Sequence, residues 1–303
     1  MGQGPIFIGG LGRSGKTWLR FILSSHPTLA AFSRRTNLWT RHYKRYGDLK
    51  QRPNFERCLA ALLESKHVQA LNPNVQRIRQ EFWQGKPTYE RLFALLHEHY
   101  AQACRKPRWG DQTELIEACA DEVFAAYPDA KMIHLVRDPR DRYEAVAARS
   151  KQTGRAGDAT ARWLYSVRLA QRNSQRYPDR YMIVRYENLA AQPEETVAAV
   201  CHFLDEEYVP EMLLMKDVPR FQKRGLEGRS PLNAEYIGAY RAALSDQEIA
   251  LIQNLAGREM SAFGYALEPL NTSIGERLSL TLVKAPTSYL RTLLWRALLA
   301  GNP

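Results

Sequence analysis

Cysteine is scarce in this chain, with four in 303 residues. Cys58, Cys104, Cys119 and Cys201 are scattered, make no Cys-x-x-Cys pair and have no histidines at metal-ligand spacing. That excludes a metal or disulfide framework and leaves ordinary reduced thiols. Long apolar runs are missing too, since none approaches the roughly 20 residues that span a bilayer. The first residues show no basic stretch leading into an apolar segment, so the expectation is a cytoplasmic protein without a secretory leader. Acids are outnumbered, 32 against 43 lysines and arginines, for a net charge of +11. No helix-turn-helix or RNP motif accompanies that charge, and few arginines interleave with aromatics, which argues against a nucleic-acid partner. An anionic cofactor, with an anionic acceptor or membrane surface, explains the charge more economically.

What the chain does have is concentrated between Pro5 and Arg20, PIFIGGLGRSGKTWLR. Ile6 to Ile8 reads as a short buried strand, Gly9 to Gly15 as a glycine-rich turn, and Lys16-Thr17 as the opening of a helix. Gly10-x-x-x-x-Gly15-Lys16-Thr17 fits the P-loop pattern letter for letter. Glycines let backbone N–H groups turn inward around an anion, and the helix presents its positive end to it. Lys16 adds a point charge and Thr17 a hydroxyl. A ligand-free strand-to-helix turn is the bland alternative, but the strand, the helix and both polar anchors favour a phosphate-type site.

At 45% hydrophobic residues, the chain suits one large α/β domain with an appendage. The expected fold is a three-layer P-loop α/β domain over residues 1–270, its central sheet mainly parallel and flanked by helices. A C-terminal helical tail follows over 271–303. His26-Pro27 ends the first helix, and Leu29 to Phe32 is a second strand. The segment from Arg34 to Arg52 is basic and aromatic, either a solvated surface or a wall of the acceptor cleft. Residues of about 40–105 form a helical insertion, with apolar positions at three- and four-residue steps from Phe55 to Cys104. Its histidines, His67, His97 and His99, read as surface or packing residues. Arg108 to Thr113 is expected as a compact turn before a helix over Glu114–Ala126. Lys131 to Val136 is a buried strand of the parallel-sheet kind, ending at Arg137, where a ligand of an open α/β sheet would bind. A helix over Arg142–Arg149, a polar loop over Lys151–Asp158 suited to a lid, and a helix over Thr160–Tyr177 come next. Tyr181 to Val184 is a further strand, and Pro193-Glu194-Glu195 opens a helix running to Leu204.

With the strand ends placed, GRSGKTWLRFILSSHP, KPRWGDQT, YPDAKMIHLVRDPRD and DRYMIVRYENLAAQPEETVAAVCHFL resemble the sulfotransferases that use 3′-phosphoadenosine 5′-phosphosulfate (PAPS). The resemblance is to the broad bacterial branch related to tyrosylprotein sulfotransferases, and weaker similarity continues to Tyr265. It implies transfer of a sulfuryl group from PAPS to an acceptor hydroxyl or amine, leaving PAP. By residue matching, Arg13, Ser14, Gly15, Lys16 and Thr17 cradle the 5′-phosphosulfate, with Trp18 beside them. Arg137 binds the 3′-phosphate, Tyr186 belongs to the same cofactor site, and Lys223 and Arg224 resemble the late basic element returning to that phosphate.

The chain departs from the family pattern at four places. The usual 3′-phosphate serine is Ala145, a loss that Arg142 or Arg149 would have to make good. The glutamate pair that supplies a general base is replaced by Arg34 and Arg35, and a guanidinium cannot accept a proton. The lysine of the WGDKT element is Gln112, whereas Lys16 is an added charge in the P-loop. These paired changes suggest that Lys16 takes over the missing lysine's role, alongside Arg13 at the developing charge. For the base, Asp111 and His42 are the candidates, and neither is singled out.

Two other readings compete: a Mg-dependent P-loop kinase or NTPase with Asp138 as its metal ligand, and a non-catalytic PAPS- or PAP-binding protein. The favoured reading involves no metal. The acceptor is expected to be a carbohydrate, a lipid or another small molecule. In the tail, Leu290, Leu293, Leu294, Trp295 and Leu298 lie beside Arg291 and Arg296. Such a segment packs on its own domain, on a second copy of the chain, or on the inner face of an anionic membrane.

Overall fold

The computed structural model describes residues 4–31, 36–150, 155–215 and 234–269, with Leu290. Apart from Leu290, the tail expected over 271–303 lies outside the described residues, as do Lys223, Arg224, Arg34, Arg35 and the Arg149 side chain. Five strands form one sheet: β1 (Ile6–Gly9), β2 (Leu29–Ala31), β3 (Arg108–Gln112), β4 (Lys131–Val136) and β5 (Tyr181–Arg185). Their order is β2-β3-β1-β4-β5 and every pairing is parallel. The expected three-layer α/β domain is therefore what forms.

Alternation along the strands divides the core into two layers. Phe7, Trp109 and Met132 point to one face, where α2 (Arg52–Glu64), α3 (Lys66–Gln69), α4 (Val75–Trp83) and α5 (Tyr89–Ala103) cover them. Ile6, Ile8, Ile133, Leu135 and Val184 point to the other, against α1 (Lys16–Ser24), α9 (Tyr186–Ala191) and α10 (Pro193–Phe203). A period of two is what puts consecutive residues on opposite faces. A third cluster joins Val136, Tyr143 and Trp163 to α11 (Asp246–Ala262), around α7 (Pro139–Ser150) and α8 (Ala156–Arg176). Ser245 and Glu248 close a capping box at the start of α11. Among the described residues, no helix is long and apolar enough to cross a membrane.

One stretch departs from expectation in kind. Arg108 to Gln112 is not a turn but the strand between β2 and β1. Its polar side chains are satisfied from afar. Arg108 is 3% exposed and pairs with Glu206 at 3.0 Å while donating to the Leu204 and Gly4 carbonyls. Gln112 accepts from Arg20 at 2.8 Å. The helix expected over Glu114–Ala126 is a 3₁₀ turn (Ile116–Cys119) followed by α6 (Ala120–Ala126). α7 begins three residues early, at Pro139, whose fixed φ suits a first helical position. α8 begins at Ala156, inside the segment expected as a loop. The packing role of two insertion histidines holds: His97 stacks on Trp109 at 4.8 Å, and His99 bonds Glu81 at 2.9 Å.

Candidate active site

The loop from Gly10 to Thr17 joins β1 to α1 at the carboxyl end of the sheet, and three residues turn it through positive φ. They are Gly10 at +100°, Arg13 at +73° and Gly15 at +91°. A Cβ on Gly10 would collide with the Leu135 carbonyl, and one on Gly15 would lie 2.7 Å from the Tyr186 ring. Glycine is required at both positions by conformation and by space. The N–H groups of Gly15 and Thr17 donate to no acceptor among the described residues. They stand at the positive end of α1, where an anion is favoured.

Arg137 reaches this loop from the end of β4. Its guanidinium lies over the Tyr186 ring, 4.5 Å from the centroid, and Nη1 donates to the Arg13 carbonyl at 3.3 Å. Nη2 donates to the Tyr236 carbonyl at 2.9 Å, while Nε is buried with no hydrogen-bond partner. Trp163 fixes the Arg137 carbonyl at 2.9 Å. Asp141 accepts from the Gly238 and Tyr240 N–H groups at 2.8 and 3.0 Å, which pins the segment carrying Tyr236. Arg13, Ser14, Gly15, Lys16, Thr17, Arg137 and Tyr186 thus gather in one place, with Trp18 half-buried in the first turn of α1. The residues fit a nucleotide with two anionic ends: unfilled amides at one side, a buried orphaned guanidinium nitrogen at the other.

Lys16 is buried, and its ammonium donates to the Gly10 carbonyl. The Gly10 N–H donates to Glu117 Oε2 at 3.1 Å. Glu117 has no exposed surface; its other oxygen accepts from the Ser166 hydroxyl and lies 3.9 Å from His134 Nδ1. Burial lowers the pKa of His134, with the nearby Lys16 charge acting the same way and Glu117 opposing, so the imidazole is neutral at neutral pH. Removing the carboxylate strands two donors in a closed space, at about 1–3 kcal/mol each. Glu117→Ala is accordingly expected to cost roughly 2–5 kcal/mol of stability, read as a lowered midpoint in urea unfolding. An unchanged midpoint would mean that the loop does not depend on this contact.

A second glutamate missed by the sequence reading is Glu114. It sits two residues past β3, half-buried, with Oε1 accepting from the Gly12 N–H at 3.3 Å. Both glutamates follow the end of β3, a stretch whose sequence reads as a turn, so no local signal set them against the loop. The two bases named from sequence stand elsewhere. Asp111 is 1% exposed on the helical-layer face, accepting from Thr36 and Thr113 at 2.9 and 2.8 Å, with His97 at 3.5 Å. Burial opposes its ionisation, but His97 and the two hydroxyls outweigh it and hold its pKa below the usual carboxylate range. His42 shares Nδ1 with the Tyr46 hydroxyl at 2.9 Å and stacks on that ring. Burial, then the Arg41 charge, lowers its pKa. Among the described residues no group of three or more His, Cys, Asp or Glu is gathered as a metal site.

A parallel sheet with a phosphate-type loop and a strand-end arginine defines an α/β protein built for a phosphorylated nucleotide. A family model described as the sulfotransferase family matches residues 5–210, and the chain belongs to that family. The resemblance read from the motifs is borne out, with sulfuryl transfer as the family's reaction and PAPS as the donor. A protein-tyrosine sulfotransferase of Drosophila melanogaster is 26% identical over 207 residues, 66% of this chain. The match spans only 38% of that relative's length. The sulfotransferase domain of a Synechococcus olefin synthase superposes with a TM-score of 0.59 at 20% identity, over 87% of this chain and 95% of its own. The sulfotransferase domain of the curacin biosynthetic pathway gives 0.57 at 19%, over 88% and 99%. At such identities these two likenesses show the fold alone.

Proposed function

We propose that this chain transfers the sulfuryl group of PAPS to an acceptor hydroxyl by in-line displacement that needs no metal ion. Arg13, Ser14, Gly15, Lys16 and Thr17 cradle the 5′-phosphosulfate, and Arg137 takes the 3′-phosphate beside Tyr186. The observation that carries this reading is Arg137, a buried cation with an unpartnered Nε at the P-loop. Carbonyls meet its other N–H groups and the Asp141 carboxylate acts on it only from beyond ion-pair range, so this buried charge still favours an anion at Nε. Catalysis of such a transfer rests on positioning and on charge stabilisation at the leaving oxygen, roles for the loop amides, Arg13 and Lys16.

For the base we turn from Asp111 and His42 to Glu114. A general base must reach the acceptor's proton, with a pKa near the working pH. Asp111 is enclosed and its pKa is held below the usual carboxylate range by His97 and two hydroxyls, and the contacts of His42 are with Tyr46. Glu114 is a carboxylate that touches the loop while keeping some access to solvent. Acceptors to be tried are carbohydrates, lipids and small alcohols, and the Drosophila relative's name adds a tyrosine phenol.

Against the kinase reading, both oxygens of Asp138 are taken by Arg140, at 3.0 and 2.6 Å, so this acid is already neutralised. The deciding assay supplies PAPS and an acceptor panel in excess EDTA. Acceptor-dependent release of PAP is expected. Turnover of ATP that requires Mg²⁺ would favour the kinase instead, and tight PAP binding without product from any acceptor would favour a non-catalytic binder.

A further inference from the structure

Arg142, in the first turn of α7, is as deeply buried as Arg137; each is 6% exposed. Its Nε donates to the Gly12 carbonyl at 3.1 Å and Nη1 to the Ala159 carbonyl at 3.4 Å. Arg137 holds the next carbonyl along, that of Arg13. Two guanidinium groups therefore grip consecutive peptides of the same loop. Among the described residues neither forms an ion pair with a carboxylate. Their charges act on each other: burial above all brings Arg142 down to about 10, with Arg162 and Arg137 adding to the fall and Glu114 opposing it. Backbone carbonyls satisfy N–H groups but do not neutralise charge, and the carboxylates of Asp141 and Glu114 act on Arg137 and Arg142 only from beyond ion-pair range, so two like charges buried together favour a further anion. A doubly charged phosphate, with three acceptor oxygens, answers both cations at once.

We infer that Arg142 is the second guanidinium of the 3′-phosphate subsite, acting with Arg137 on one phosphate. The inference rests on PAPS being the donor, and it gives this chain two arginines where the sequence left one ligand unaccounted for at Ala145. The same chemistry would also suit an anionic group on the acceptor, and the test separates the two.

Calorimetric titration with adenosine 3′,5′-bisphosphate and with 5′-AMP is run on the wild type, Arg142→Gln and Arg142→Lys. The wild type is expected to prefer the bisphosphate. Arg142→Gln is expected to lose about 10- to 100-fold in affinity for the bisphosphate and within about twofold for 5′-AMP, the scale of a charge-assisted hydrogen bond. Arg142→Lys recovers part of that loss. Retained 5′-AMP binding reports that the variants are folded. Equal weakening toward both nucleotides would overturn the inference, leaving Arg142 as a prop for Gly12. An unchanged bisphosphate preference with a raised acceptor KM would overturn it in favour of an acceptor anion. A wild type that does not distinguish the two nucleotides would overturn the donor reading, and this inference with it.

Discussion

Glu114→Gln is expected to lower kcat by roughly 10²–10⁴-fold, the usual contribution of a general base. PAP affinity is expected to stay within about twofold, because glutamine keeps the oxygen that accepts from the Gly12 N–H. The substitution removes proton affinity while conserving shape and the loop contact, so binding and chemistry separate cleanly. Asp111→Asn supplies the contrast. Its carboxylate is closed in with Thr36, Thr113 and His97, so its loss acts through folding, and the protein that remains folded should turn over normally. Steady-state kinetics beside thermal melts measure both. A Glu114→Gln enzyme with unaltered kcat would remove this residue as the base, and a folded Asp111→Asn protein without activity would return the role to Asp111.

The parts legible in the sequence were those whose signals are local. β1, β4 and β5 are contiguous apolar runs, the P-loop is a spaced motif, and Arg137 and Tyr186 follow strand ends directly. β3 failed because RWGDQ carries charge and polarity that a lone strand cannot bury. Its partners are Glu206, Arg20, Thr36 and His97, and the Arg108–Glu206 contact alone joins residues 98 positions apart. Glu114 and Glu117 were unreadable for the same reason. Their targets, Gly12 and Gly10, lie 102 and 107 residues earlier, and an acidic pair after a strand looks like ordinary helix-opening sequence. Long-range satisfaction of polar groups is what makes buried strands of this kind possible, and one-dimensional patterns do not carry it.

Lys16→Met is the second large effect expected, a fall of roughly 10²–10³-fold in kcat, the scale of one lost electrostatic donor. The ammonium rests on the Gly10 carbonyl, near the buried Glu117–His134 pair. Acting on a leaving phosphate oxygen requires that contact to be exchanged for one to the donor. A net hydrogen bond of this kind is worth only about 1 kcal/mol, so the exchange is affordable, and the developing negative charge favours it. If Lys16 were merely a tie within the loop, Lys16→Met would lower thermal stability and PAP affinity together while sparing kcat in the folded fraction. The catalytic role predicts the reverse split, a low kcat with nearly unchanged melting. Moving the lysine back to its family position is not expected to rescue the variant. Gln112 is 7% exposed and accepts from Arg20, itself 4% exposed, so a lysine there would set two buried cations against each other. An arginine in α1 facing residue 112 thus explains why the added charge stands in the P-loop and not on β3. Full activity in the Lys16→Met, Gln112→Lys double variant would refute that account of the exchange.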